Sequence, residues 1–243
     1  MRLFFIIGTI AIVTLVGCAT PPSHPRPESS AIERLRSPTP MEHPRIPMTA
    51  TRSCCRSALP GPSRAAVVQT AAALVGATTI TSADRKIAYD CAGVTRAVFL
   101  KHGIDLYDAD AGDPKANGVR LIYDHVRQQG TIHRGPNVHP GDLVFFDNTW
   151  DFNGDGELND PLTHIGIVER IEPDGTVVFI SRVAAAVQRY RMNLRHPHVH
   201  KAPDGRILND YIRRKLPADP DQVGRLTGEL FAFYGSRLPP LDL

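Results

Sequence analysis

The chain has 243 residues, with 28 Lys and Arg against 25 Asp and Glu, a formal net charge of +3. That balance is too mild to point to nucleic acid as a partner. With 42% hydrophobic and 22% charged residues, the composition excludes a wholly disordered or fibrous chain and leaves room for one domain with a sizeable core.

The first predicted element is an export signal. Arg2 is the only charge ahead of Leu3 to Val16, an almost wholly apolar run too short for a stable spanning helix. It leads into Leu15-Val16-Gly17-Cys18, which resembles a bacterial lipobox. The resemblance implies removal of residues 1–17 and a lipid on Cys18, hence attachment to a membrane. Ala19 after that cysteine implies the outer membrane, facing the periplasm. An ordinary signal peptide cut near Ala19 is the alternative. Residues 18–62 are rich in Pro, Ser and Arg and poor in apolar residues, so they read as a disordered tether. Cys54 and Cys55 fall inside it.

The folded part follows. Arg64 to Val75 has the spacing of a helix, with Val67, Val68, Ala71, Ala72 and Leu74 on one side. A second helix is predicted from Cys91 to about His102, stopping at Gly103, and a third from Val119 to Gln129, stopping at Gly130. Pro140-Gly141 is a turn, and Leu143 to Phe146 starts a sheet. His164 to Ile171 and Thr176 to Arg182 are predicted to form a hairpin across Pro173-Asp174-Gly175, with a further strand from Val187 to Leu194. Helices followed by an antiparallel meander indicate an α+β fold. Arg206 to Lys215 and Asp221 to Tyr234 are predicted as helices of a C-terminal extension, residues 196–243.

The chemistry centres on Cys91. It opens a helix, where unpaired backbone N–H groups and the helix dipole favour a thiolate, the nucleophilic form. His164 opens a later strand, and a cysteine on a helix start with a histidine on a strand is the layout of a papain-like pair. Cys91 is the only cysteine of the folded part, so it has no disulfide partner there. An exported domain held by disulfides would carry more.

Three motifs in order, Tyr89-Asp90-Cys91-Ala92-Gly93, Pro140-Gly141-Asp142-Leu143-Val144-Phe145-Phe146 and His164-Ile165-Gly166-Ile167-Val168, resemble the NlpC family of bacterial cell-wall cysteine peptidases. The resemblance covers roughly Ser63 to Leu194 and sets the domain at residues 63–195. It implies a papain-like NlpC fold and hydrolysis of amide bonds in peptidoglycan stem peptides. Cys91 is then the nucleophile, His164 its acid and base, and Ser181 the residue where the family carries a His, Asn or Gln to orient the imidazole. Tyr89 would offer a hydroxyl to the cleft, and Asp90 would bind substrate or cap the helix. Ala92 stands where the family usually has a serine. An amidase or acyltransferase on the same scaffold, and a non-catalytic wall-associated lipoprotein, are the alternatives.

Two further patterns are metal candidates, although the thiol chemistry requires no cofactor. Asp151, Asn153, Asp155 and Gly156 have the D-x-N-x-D-G spacing of a calcium loop, with Glu157 and Asp160 as further oxygen donors. Leu162 occupies the twelfth position, where such loops carry glutamate, and a polar turn with Asx hydrogen bonds is the other reading. His196, His198 and His200 alternate, which on an extended segment puts them on one face, as a zinc site would require. Arg182, Arg189, Arg191 and Arg195 read as a solvated edge-strand face.

Overall fold

The computed structural model describes residues 61–81, 87–107, 117–217, 219 and 222–239, all within the unit Arg56–Leu243. The predicted signal, Cys18, Cys54, Cys55 and nearly all of the predicted tether lie outside the described residues. The architecture is mixed α/β. Among the described residues there are three helices, α1 (Arg64–Ala72), α2 (Cys91–Leu100) and α3 (Gly118–Gln129). Six strands form one antiparallel sheet: β1 (Thr131–His133), β2 (Leu143–Phe146), β3 (His164–Ile171), β4 (Val177–Val183), β5 (Ala186–Met192) and β6 (Phe231–Ser236). The strand order is β1-β6-β2-β3-β4-β5.

Each helix start is capped by a side chain. Ser63, Asp90 and Asn117 accept from the N–H groups of Ala66, Gly93 and Arg120, which satisfies donors that have no partner inside a helix. The meander β2-β3-β4-β5 is local. At the β3–β4 turn the Asp174 carboxylate accepts from the Thr176 N–H at 2.9 Å, and Gly175 takes the left-handed conformation, φ 86°.

Alternation along the strands gives the sheet two buried faces. Ile165, Ile167 and Ile180 join Val67, Val98, Phe99 and Ile122 in the core under the helices. Val168, Phe179 and Tyr190 face the other way and are covered by Ile212 and Leu230 of the C-terminal segment. At the sheet's other end the buried Arg64 guanidinium meets Asp142 at 2.7 Å, Ser236 Oγ at 2.6 Å and the Pro239 carbonyl at 3.0 Å. One side chain thus ties the start of α1 to β2 and to the chain beyond β6.

The C-terminal helices expected from the sequence are absent from the described residues. The described residues between β5 and β6 run in irregular structure with two isolated bridges, Lys201 to Ile207 and Tyr211 to Leu226. Asn209 explains the first loss. Its side chain donates to the carbonyls of His196 and Val199 and accepts from the Asn193 N–H, an arrangement that competes with helix hydrogen bonds. The second expected helix is interrupted at Gly228, where a Cβ would lie 2.7 Å from Pro197 Cα. Beyond it, Phe231–Ser236 becomes a strand between β1 and β2. The boundary expected at residue 195 therefore falls inside one unit.

Candidate active site

Asp90 is the residue before α2. Its backbone is extended (φ −134°, ψ −176°) and its carboxylate accepts from the Gly93 N–H at 2.7 Å. Gly93 is obligatory for this turn: a Cβ there would sit 1.9 Å from the Ala88 carbonyl oxygen. The cap fixes Cys91 as the first helical residue, partly exposed and facing the start of β3. The N–H groups of Ile165, Ala92 and Cys91 itself favour the thiolate. Burial, with the Asp90 charge second, outweighs them and pushes the thiol up to about 12. The sequence-based expectation of a thiolate is corrected here: the helix start acts in the predicted direction, but desolvation of the sulfur is larger.

His164 is the first residue of β3 and is buried, 8% exposed. Its Nε2 lies 2.8 Å from the Oγ of fully buried Ser181 on β4. Ser181 donates its only proton to the Ile165 carbonyl at 2.6 Å. Toward His164 the hydroxyl must therefore accept, so Nε2 carries the ring proton and Nδ1 keeps a lone pair. Burial first, and the Arg182 charge second, push the imidazole down to about 3. Cys91 and His164 line one cleft of about 760 Å³ without a direct hydrogen bond between them. At rest both groups are neutral.

The excursion from β2 to β3 forms one wall. Its two feet, Asn148 (φ 55°) and Leu162 (φ 58°), are left-handed residues other than glycine, a conformation that costs about 1–2 kcal/mol each. Thr163 carries the wall: Thr149 bonds its hydroxyl through both N and Oγ1 at 2.9 Å, and the Trp150 indole donates to its carbonyl at 3.2 Å. The only tryptophan of the chain is thereby held half exposed at the cleft rim.

The predicted calcium residues lie farther out in this excursion. Asp151 accepts from the Gly154 and Gly156 N–H groups, Asn153 from Asp155, and Asp155 from Glu157. Asp155 also accepts from the Asn153 and Asn159 amides, and the Asn159 bond leads in holding its carboxyl below the usual range. Asp160 is buried and accepts from the Asn153 N–H. The loop is thus folded on its own hydrogen bonds. Among the described residues no group of three His, Cys, Asp or Glu is placed to hold a metal. The alternating histidines diverge as well: His198 meets Glu229 at 3.1 Å, while His200 meets the Asn209 carbonyl at 2.6 Å and the Tyr211 ring.

Tyr89 does not take the position expected for a cleft donor. Its hydroxyl proton goes to the Ala77 carbonyl at 2.6 Å, and it is not among the residues lining the cleft. Its ring instead underlies Arg182, whose guanidinium lies 5.0 Å from the ring centroid. Asp90 does line the cleft while serving as the cap.

The opposite wall holds residues that the sequence reading missed or read otherwise. Arg182, Tyr211, Arg213 and Arg214 all face the cleft. Arg213 is buried and pairs with Asp219 at 2.9 Å while donating to the Asn148 carbonyl at 2.8 Å. The basic cluster expected on one edge is dispersed: Arg189 pairs with Glu169, Arg191 lies beside Asp210, and Arg182 alone turns into the cleft. The one available signal was that Arg182 follows Ser181; nothing in sequence spacing reports Arg213, which lies 65 positions from the residue it braces. Compared with models of protein families and with curated proteins, the chain matches none.

Proposed function

We propose that the chain is an NlpC-type cysteine peptidase with a papain-like catalytic arrangement, hydrolysing amide bonds in the stem peptides of peptidoglycan. The observation that carries this reading is the Ser181 relay. Because its hydroxyl accepts from His164 Nε2, the imidazole keeps its Nδ1 lone pair free of a proton, and His164 lines the cleft that also holds Cys91.

The resting neutrality of the pair sets the order of events. His164 acts as general base, taking the thiol proton as sulfur attacks the carbonyl. Backbone N–H groups at the start of α2 meet the developing oxyanion. The imidazolium then protonates the departing amine, and water, with His164 again as base, releases the acid from the thioester. Ser181 holds the ring in one tautomer throughout, as the third member of a triad does. The motifs around Cys18 support an exported, lipid-anchored protein, consistent with a wall substrate.

The test is digestion of purified peptidoglycan by the full chain beside Cys91→Ala, with products identified by mass. New stem-peptide fragments that disappear in the variant are the expected result. An inert wild-type chain, properly folded, would sink the peptidase reading and favour a wall-associated protein without turnover.

A further inference from the structure

Arg182 follows Ser181 on β4 and lines the cleft that also holds Cys91 and His164. There its guanidinium is steadied over the Tyr89 ring, and its Nε is buried without a hydrogen-bond partner. Arg64, Arg96, Arg189, Arg206 and Arg213 each meet a carboxylate. Arg182 meets none among the described residues, although Asp90 lines the same cleft, its carboxylate bonded to Gly93. Arg214, exposed on the same wall, adds a second cation. A planar fork held by an aromatic ring and left without a counter-ion beside a nucleophile is suited to a substrate carboxylate.

We propose that Arg182 is the specificity-determining residue of the cleft, receiving a free carboxylate carried beside the scissile amide of the substrate peptide. This rests on the peptidase reading above. The same contact would assist the chemistry. The Arg182 charge opposes protonation of His164, and a bound carboxylate cancels that field at the moment the imidazole must accept the thiol proton. Recognition is thereby coupled to the strength of the base, so kcat as well as KM depends on the carboxylate.

The experiment compares two stem peptides that differ only in a carboxylate or a carboxamide beside the scissile bond, using the purified full chain, Arg182→Gln and Arg182→Lys. The wild type is expected to favour the carboxylate peptide by about ten- to a hundred-fold in kcat/KM. Arg182→Gln should erase the preference by slowing only that peptide, and Arg182→Lys should restore part of it. Equal cleavage of both peptides by the wild type, or an equal loss on both in Arg182→Gln, overturns the proposal while leaving the peptidase reading intact. If neither peptide is cleaved, the peptidase reading falls, and calorimetry with the same pair decides recognition. Tighter binding of the carboxylate form by wild type than by Arg182→Gln upholds it, and equal binding overturns it.

Discussion

Ser181 is the residue on which the candidate site turns. It is shorter than the His, Asn or Gln that the resemblance leads one to expect, yet the close approach of β3 and β4 lets a hydroxyl reach the ring at 2.8 Å. Ser181→Ala leaves the buried Nε2–H without an acceptor, so a stability loss of roughly 1–3 kcal/mol is expected in urea unfolding. Turnover should fall further than stability explains, because the tautomer is no longer fixed. The neutral pair has its own signatures. Alkylation of Cys91, read at its own peptide by mass, should be slow at neutral pH and climb steadily in alkali, because the thiol is pushed up to about 12. Rapid labelling at pH 7 would contradict that assignment. For His164 the folded chain holds the imidazole down to about 3 against an ordinary 6.5. Below pH 6.5 the unfolded chain takes up a proton that the folded chain refuses. Stability therefore falls as pH drops through that window, by up to about 1.4 kcal/mol per pH unit. The difference between wild type and His164→Gln in acid unfolding isolates this contribution, and identical slopes would refute it.

At the scale of elements, the start of α2 is the most constrained turn near the site. Gly93→Ala forces a Cβ into the Ala88 carbonyl; backbone must shift, and a loss of roughly 1–3 kcal/mol is expected. Cleavage should be lost beyond that, since Cys91 moves with the turn, and a variant with wild-type turnover would show the glycine to be dispensable. Much of this level was legible in the sequence. α2 and α3 were marked by periodicity and by Gly103 and Gly130, and the β3–β4 hairpin by Pro173-Asp174-Gly175. Cys91, His164 and Ser181 were placed by motif order and by counting across that hairpin. β1, at three residues, is too short to leave a pattern. β6 was misread because Asp221 to Tyr234 suits a helix locally; its strand state is decided by the slot between β1 and β2. Tyr89 and Arg182 were misread for a related reason, since each is positioned by a contact with a distant part of the chain.

For the molecule as a whole, the Arg64–Asp142 pair is the main polar fastening. Both side chains are buried, 9% and 1% exposed. Asp142→Ala strands the guanidinium, and a loss of about 3–5 kcal/mol is expected, read as a lower urea midpoint at unchanged m-value. A shift within error would mean that the Pro140 and Pro239 carbonyls and Ser236 suffice to satisfy Arg64.

The position of β6 also bears on how the molecule reaches this state. The meander from β2 to β5 needs only short closures, whereas β6 must return across most of the domain, and Arg64 bonds a carbonyl 175 positions away. Chain closure over such separations is slow relative to hairpin formation. Until β6 arrives, the inner edge of β2, Leu143–Phe146, presents four buried-type residues and unpaired backbone groups. An open apolar edge of that kind is a template for pairing with another chain. The late docking of one strand therefore governs both folding speed and self-association, and refolding yield should fall steeply with protein concentration.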